Sequence, residues 1–246
     1  MWKWEQFKGM LGPLALSLVL VLILTPRPLK EAVPADGSAD IEETGSPLIA
    51  LTFDDGPDRK TTKRLLDGLA QRGVRATFFL IGKQIPGNED LVRRMEAEGH
   101  QIGVHTYDHV RLTGLCAEDF QAQVDRTRSL LGEILGREED SLLRPPYGAV
   151  DKVVEEEAGS AIILWSVDPE DWRYKNAAQV TAHIVSHAGD GDVVLLHDIY
   201  STSVEAALDA IDVLHQRGFL FVTVEELARQ RHVELKAGQV YRHFYP

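Results

Sequence analysis

Five short polar segments, each of which follows an apolar run, carry residue types that hydrolytic chemistry uses. In chain order they are TFDDGP at 52–57, HTYDH at 105–109, RPPY at 144–147, DPEDW at 168–172 and LLH at 195–197. Together they offer carboxylates and imidazoles for a metal ion, a further carboxylate that could act as a base, an arginine and a last histidine. Any one segment alone would be weak evidence, but the ordered set is typical of a metal-dependent hydrolase.

The first two segments predict a metal site. His105 and His109 are four positions apart, so both imidazoles can meet one ion if the loop coils as a helical turn. Asp54 and Asp55 end an apolar run, and both carboxylates can reach the same side where a strand frays. Two imidazoles and one carboxylate suit zinc or a similar divalent ion and leave positions for water and substrate. The alternative for DDGP at 54–57 is a helix-opening turn capped by an aspartate.

Arg144 and His197 are the remaining candidates for catalytic roles. Arg144 keeps its proton at neutral pH and cannot be a base, but beside Asp54 it would hold that carboxylate ionised and oriented. His197 ends an apolar run, and Asp168 or Asp171 could hydrogen-bond to it and favour its imidazolium form. The structural alternatives are a surface arginine before a turn and a core histidine whose ring nitrogens are satisfied.

A second histidine pair is a control for the metal assignment. His183 and His187 are also four positions apart, but they lie in a helical pattern that ends just before the apolar run at 192–197. The end of such a crossover helix lies on the opposite face from the carboxyl ends of the strands. We therefore expect these two histidines to be solvated or to have a packing role.

Short apolar runs alternate with helical patterns and predict the elements that position these residues. Runs rich in Ile, Val, Leu and Phe predict strands at 48–53, 76–81, 101–105, 141–144, 161–167, 192–197 and 219–222. Apolar residues at helical spacing predict helices through 120–134 and 204–214. The alternation predicts an α/β fold of about seven parallel strands, closed or nearly closed into a (β/α) barrel, with an open doubly wound sheet as the alternative. In either fold the five segments lie at the carboxyl edge of the strands, where ligands bind.

The N-terminal residues differ in composition from the rest of the chain. Residues 1–25 contain a long apolar run behind Lys3 and Lys8, which predicts an N-terminal apolar helix that acts as a signal anchor, or alternatively a signal peptide. No small-residue cleavage pattern follows the run, and this favours the anchor. Residues 26–47 are rich in Pro, Ala, Gly, Ser and acids, a composition that predicts a flexible linker.

The remaining residues form the expected catalytic part. We assign 48–230 to a catalytic domain and 231–246 to a C-terminal tail. With a signal anchor, the domain would lie outside the cytoplasm on a single-pass cell-membrane protein, and with a cleaved signal it would be secreted.

Charge and cysteine content exclude some functions. The first 30 residues carry a charge of +3, so the rest of the chain carries −15 against −12 for the whole. A domain this acidic would be repelled by phosphate backbones, which argues against nucleic acid as a partner. Cys116 is the only cysteine, so an intrachain disulfide and a cysteine-rich zinc module are excluded.

The five segments resemble the five motifs of the polysaccharide deacetylase domain, also called the NodB homology domain or carbohydrate esterase family 4. The resemblance covers about residues 45–230, and it implies a distorted (β/α) barrel and a metal-dependent enzyme that removes acetyl groups from sugars. The site residues that it implies are Asp54 as general base, Asp55, His105 and His109 as metal ligands, Arg144 to orient the base, His197 as general acid tuned by Asp171, and Tyr147, Trp172 and Leu195 as substrate-binding residues.

The resemblance also implies a substrate class and a cofactor. It implies a hydrolase that removes N- or O-acetyl groups from sugars. We expect a monomer that removes N-acetyl groups from an extracellular amino-sugar polymer, because the retained His197 and Asp171 favour amide cleavage. Peptidoglycan N-acetylglucosamine is the first expectation, and N-acetylmuramic residues and chitin oligomers follow. One divalent metal ion would be needed, zinc in the first instance, with cobalt, nickel or manganese as alternatives. Two other functions stay open: an O-acetyl esterase of the xylan type, and a non-catalytic sugar-binding membrane protein, which would be expected to lack the base or the acid.

Overall fold

The computed structural model describes residues 45–136 and 141–246. The predicted apolar helix within residues 1–25 and all but the last three residues of the predicted linker lie outside these ranges. Within the described ranges, no helix combines the length and the apolar character that crossing a lipid bilayer requires.

Parallel strands form a five-stranded sheet and a two-stranded sheet in the described domain. They are β1 (Leu48–Asp54), β2 (Thr77–Leu80), β3 (Gln101–Val104), β4 (Ile162–Ile163), β5 (Val193–His197), β6 (Leu220–Phe221) and β7 (Val240–Tyr241). The main sheet has the order β3-β2-β1-β5, β6 pairs with the first residues of β1, and β4 with β7 forms the two-stranded sheet. Every residue of β1 is buried, as expected for a strand covered on both faces. The predicted α/β fold with a parallel sheet is confirmed.

Helices alternate with these strands. They are α1 (Thr61–Arg72), α2 (Glu89–Ala97), α3 (Ala117–Leu135), α4 (Lys152–Glu157), α5 (Asp171–Tyr174), α6 (Ala177–His187), α7 (Ser201–Gln216) and α8 (Val224–Gln230). The two helices predicted from apolar spacing are present. Helix α3 buries Phe120 and Val124, and α7 buries Val204 and Ile211. These helix residues belong to the same hydrophobic core as the buried residues of the strands.

The strand predicted at 141–144 is wrong as a regular strand. Only Leu143 pairs there, through single parallel bridges with Val104 and Ile162. Two prolines follow at once, and because proline has no N–H to donate, the ladder of hydrogen bonds cannot continue. The segment therefore bridges β3 and β4 for one residue and then leaves as a loop.

The segment predicted as a C-terminal tail, residues 231–246, is packed on the domain. It contains β7, which pairs in parallel with β4, and Phe244 is buried. The Tyr245 hydroxyl donates to Asp192 Oδ1 at 2.9 Å, beside the start of β5. The two-residue length of β7 gave no strand signal in the sequence, since periodicity needs a longer run.

Candidate active site

Two carboxylates end β1. Asp54 is the last residue of the strand and is 2% exposed. Asp55 follows with φ of 76°, a left-handed conformation that costs on the order of 1–3 kcal/mol in a non-glycine residue. Gly56 then lies against the Asp198 carboxylate. A Cβ at position 56 would lie only 2.5 Å from the two carboxylate oxygens. The close approach requires glycine at this point of the turn.

The two histidines predicted as metal ligands lie on the loop after β3. Thr106 and His109 have φ of 64° and 58°, so the loop bends twice in the left-handed region. The loop therefore does not form the helical turn that was the condition in the spacing argument. The bends nevertheless bring the two imidazole rings to a centroid distance of 5.0 Å. Asp55 Oδ1 lies 3.6 Å from His105 Nε2 and 3.4 Å from His109 Nε2.

The donor set formed by Asp55, His105 and His109 fits a divalent metal ion. Their ligand atoms all lie within 4.8 Å of one another, and the buried Asp55 Oδ1 has no hydrogen-bond partner among the described residues. His105 Nδ1 lies 2.6 Å from the Arg144 carbonyl oxygen. Because a carbonyl only accepts, Nδ1 carries the proton and Nε2 keeps its lone pair for a cation. Burial outweighs the nearby carboxylates and lowers the pKa of His105, which keeps the ring neutral.

Arg144 forms a buried hydrogen bond with the Asp54 carboxylate. The arginine is completely buried, and its Nη1 donates to Asp54 Oδ1 at 2.8 Å and to the Thr52 hydroxyl at 2.7 Å. The Thr52 hydroxyl donates in turn to the Val194 carbonyl oxygen at 2.6 Å. The guanidinium carbon also lies 4.1 Å from the ring centroid of Phe79. These contacts fix the guanidinium, and the guanidinium fixes the Asp54 carboxylate in one orientation.

His197 ends β5 and pairs with Asp171. Its Nδ1 lies 2.7 Å from Asp171 Oδ1, and its backbone N–H donates to Asp171 Oδ2 at 2.8 Å. Of the two aspartates that the sequence left open, Asp171 is therefore the partner. Burial would lower the pKa of His197, but the hydrogen bond and charge of Asp171, together with Asp54 and Asp55, raise it to about 9. The metal-free ring is thus an imidazolium at neutral pH.

The residues predicted to bind substrate lie next to these groups. The Tyr147 ring is 62% exposed and meets the His109 ring edge-on at a centroid distance of 5.0 Å. Trp172 follows Asp171 in α5 and is 48% exposed. Leu195 is two residues before His197 in β5, so both side chains lie on the same side of the strand. Aromatic and aliphatic surface is therefore available beside the carboxylates and imidazoles.

The control pair behaves as expected. His183 and His187 lie in α6 with their rings stacked at a centroid distance of 4.1 Å, and His187 is exposed. In the part of the chain that the structure describes, the donor group of Asp55, His105 and His109 is the one set of three or more that could hold a metal. Two histidines four positions apart do not by themselves form a metal site. A third donor is needed, and here it is Asp55 at the carboxyl end of β1.

Two buried polar residues were not assigned site roles from the sequence. Thr52 links Arg144 to β5, and Asp198 lies completely buried beneath Gly56 with a hydrogen bond from the Thr62 hydroxyl. Burial raises the pKa of Asp198 to about 7. The sequence feature that could have indicated a role for Thr52 is its hydroxyl, which lies in an otherwise apolar strand two residues before Asp54. For Asp198 the contact across 142 positions of chain to Gly56 left no local pattern.

Comparison with known proteins gives the family of this chain. The profile of the family described as Polysaccharide deacetylase matches residues 41–162. A peptidoglycan-N-acetylglucosamine deacetylase of Bacillus cereus is 37% identical over 75% of this chain and 90% of its own length. The peptidoglycan-N-acetylglucosamine deacetylase PgdA of Listeria monocytogenes is 42% identical over 78% of this chain, which spans only 41% of that protein. The chain thus covers about two fifths of the longer relative.

A solved structure gives the same result for the fold. A family 4 acetyl xylan esterase from Clostridium thermocellum, in complex with a cobalt ion, is similar with a TM-score of 0.76 and 28% identity over 80% of this chain and 98% of that one. The fold and the site define an α/β domain with a candidate metal centre at the carboxyl edge of a parallel sheet. The chain belongs to the polysaccharide deacetylase family.

Proposed function

We propose that this chain is a metal-dependent deacetylase that removes N-acetyl groups from an extracellular amino-sugar polymer, with peptidoglycan N-acetylglucosamine as the substrate. One observation carries the proposal. Asp54 and His197, a carboxylate and an imidazolium, end neighbouring strands beside the Asp55–His105–His109 donor set. Each has its own buried partner: the Arg144 guanidinium orients the Asp54 carboxylate, and Asp171 holds the proton on His197, as a base and an acid require.

Asp55, His105 and His109 are the residues that would hold the cation. When bound there, a divalent ion such as zinc, cobalt, nickel or manganese would lower the pKa of water and polarise an acetyl carbonyl. The neutral His105 and the unpartnered Asp55 oxygen support this assignment. The identity of the ion in the cell is part of the proposal, and zinc is the first choice because two imidazoles and one carboxylate suit it.

Asp54 would act as the general base and His197 as the general acid. Arg144 donates to Asp54 Oδ1 and holds the carboxylate in the orientation in which it would accept a proton from the attacking water. The Tyr147 backbone N–H would donate to the developing oxyanion. His197, kept protonated by Asp171, would donate its proton to the departing sugar nitrogen, which is too basic to leave as an anion. Trp172 and Leu195 would contact the acetyl methyl group.

An O-acetyl esterase is the second candidate. The similarity to an acetyl xylan esterase favours it, and the same base and metal ligands would serve ester hydrolysis. An alcohol leaves more readily than an amine, so an ester needs the acid less. The buried Asp171–His197 pair, with a pKa of His197 of about 9, therefore supports amide cleavage over ester cleavage.

The arrangement of the whole chain is also proposed. Bridges at Leu143 and between Val167 and Val194 link β3 through β4 to β5, which supports a distorted barrel closed around the site. We further propose a monomer that is anchored or secreted, with 48–230 as the catalytic domain and residues 231–246 packed against it through β7 and Phe244.

Acetate release from defined substrates tests the proposed function. Metal-free full-length protein is assayed on peptidoglycan fragments, chitin oligomers and acetyl-xylan, before and after addition of each divalent ion. We expect amide substrates to release acetate only with metal, and peptidoglycan faster than chitin. Release from acetyl-xylan alone would favour the esterase, and no release from any substrate would favour a sugar-binding protein.

A further inference from the structure

Three cationic side chains surround the site in a domain that is strongly acidic. They are Lys83, Arg111 and Lys175, all exposed, and each lies in or directly after an element that opens onto the site. Lys83 follows β2, Arg111 follows the loop of His105 and His109, and Lys175 follows α5. Since residues 31–246 carry a net charge of −15, cations at this edge are not a consequence of overall composition.

Lys83 lines a groove that leads to the donor set. The groove has a volume of about 200 Å³ and is lined by Asp55, His109, Ile81, Ile199, Lys83, Gln84 and Asp108. Its partner Asp108 lies 3.5 Å away, and the two side chains are 58% and 40% exposed. A pair this long and this exposed contributes little, so Lys83 is available to a ligand in the groove.

Arg111 is held over the exposed face of Tyr147. Its guanidinium carbon lies 5.0 Å from the Tyr147 ring centroid, and the same ring touches His109. Stacking positions a guanidinium while its N–H groups stay free to donate. Among the described residues Arg111 has no carboxylate within ion-pair distance.

Lys175 also lies over an aromatic ring, that of Tyr200, which is next to His197. Its Nζ lies 4.8 Å from the Tyr200 ring centroid, and the Tyr200 ring lies 6.3 Å from that of His197. Within the described ranges, no carboxylate forms an ion pair with Lys175 either. One cation is thus stacked on an aromatic ring next to the donor set, and another on a ring next to His197.

We propose that Lys83, Arg111 and Lys175 bind carboxylates on the sugars that flank the acetylated sugar, so that the enzyme prefers a carboxylate-bearing glycan to a neutral one. This inference rests on the proposed function and names the substrate feature that the site selects. In peptidoglycan strands whose stem peptides have been removed, each N-acetylglucosamine has muramic acid neighbours whose lactyl groups end in a free carboxylate, whereas chitin has no carboxylate. Three exposed contacts would each contribute modestly and mostly to binding.

The test uses one glycan in two charge states. A peptide-free peptidoglycan tetrasaccharide with free lactyl carboxylates is compared with the same tetrasaccharide after conversion of those carboxyls to methylamides. For the full-length wild type with metal, we expect kcat/KM to be about tenfold higher for the carboxylate form, through KM, and the preference to shrink as salt is raised. Arg111→Gln and Lys175→Gln should each reduce the preference by about two- to fivefold.

Matched controls separate this effect from a general change in charge. Arg64→Gln and Lys152→Gln remove exposed cations on α1 and α4, outside the site, and should leave the preference at its wild-type value. An equal kcat/KM for the two forms, or an equal loss of preference in the controls, would overturn the inference.

A binding measurement keeps the inference separate from the proposed function. Metal-free full-length protein is titrated with the two tetrasaccharides in a calorimeter. Tighter binding of the carboxylate form, weakened by Arg111→Gln, supports the cationic subsite even if no acetate is released from any substrate. Equal Kd values would refute the subsite while the deacetylase assignment could still stand on its own assay.

Discussion

Asp54 and His197 are register partners at the carboxyl ends of β1 and β5. In the same pair of strands Thr52 is opposite Leu195, so the four side chains share one side of the sheet in two successive layers. The outer layer holds the proposed base and acid. The inner layer holds the hydroxyl that supports Arg144 and the leucine of the proposed acetyl pocket. A slip of one residue by either strand would turn the catalytic group of that strand to the face opposite the other group.

The pairing of His197 with Asp171 predicts a pH-dependent stability. A histidine whose pKa rises from 6.5 to about 9 on folding stabilises the fold below pH 6.5, and this contribution is lost as the pH rises through 9. The metal-free wild type should lose about 3 kcal/mol of unfolding free energy across that window relative to Asp171→Asn. Denaturant unfolding at several pH values measures it.

A neighbouring aspartate supplies the control for this pH effect. Asp168 Oδ1 accepts a hydrogen bond from the Glu170 backbone at 2.8 Å and does not contact the His197 ring in the described structure. Asp168→Asn should therefore keep the wild-type slope of stability against pH. A flat profile in the wild type, or the same slope in Asp171→Asn, would contradict the assignment of the His197 charge to Asp171.

Thr52 should act as a positioning residue for Arg144. Thr52→Val keeps the shape but removes a hydroxyl that accepts from Arg144 and donates to Val194. Leaving those buried groups short of a partner should cost about 1–3 kcal/mol of unfolding free energy, and kcat should fall more than KM changes. Thr181→Val, which loses only a bond of 3.3 Å to Ala206 on the helical layer, should retain kcat. Unchanged kcat in Thr52→Val would exclude the positioning role.

Metal binding should be visible without any assay of turnover. Zinc at one hundred times its Kd should stabilise the metal-free protein by about 2.7 kcal/mol and raise Tm by about 5–10 °C. Asp55→Asn and His105→Ala should abolish the shift, because each removes a donor from the set of three. His183→Ala should keep it. A full Tm shift in His105→Ala, or its loss in His183→Ala, would place the ion elsewhere.

Much of the fold and of the site could be predicted because the signals are local. Apolar runs defined β1, β2, β3 and β5 to within about two residues, and the polar residues that follow strands predicted that Asp54, Asp55, His105 and His109 meet at one edge of the sheet. The choice of Asp55 as the third ligand was implied by the family resemblance. Charge and the shared edge of the sheet made a contact between Arg144 and Asp54 a hypothesis, and the family resemblance implied it.

The remaining features depend on contacts between distant residues. The bends at Thr106 and His109 bring both imidazole rings close to Asp55. The four-residue spacing of the histidines does not predict these bends. The two-residue β7 and the buried Asp198 are specified by their partners β4 and Gly56, and neither partner is near in sequence. Side-chain hydrogen bonds such as that of Thr52 require the register of β1 against β5, which only the folded chain defines.

Acetate release by Asp54→Ala and by His197→Ala is the most direct measurement of the central claim. Both variants are assayed with metal on a peptidoglycan fragment beside the wild type, with zinc-induced Tm shifts to verify that the fold and the metal site persist. Loss of a positioned base or acid should lower kcat by about 100- to 10,000-fold in each variant, while His187→Ala should match the wild type. Near-normal turnover by either Asp54→Ala or His197→Ala would contradict the proposed catalytic pair.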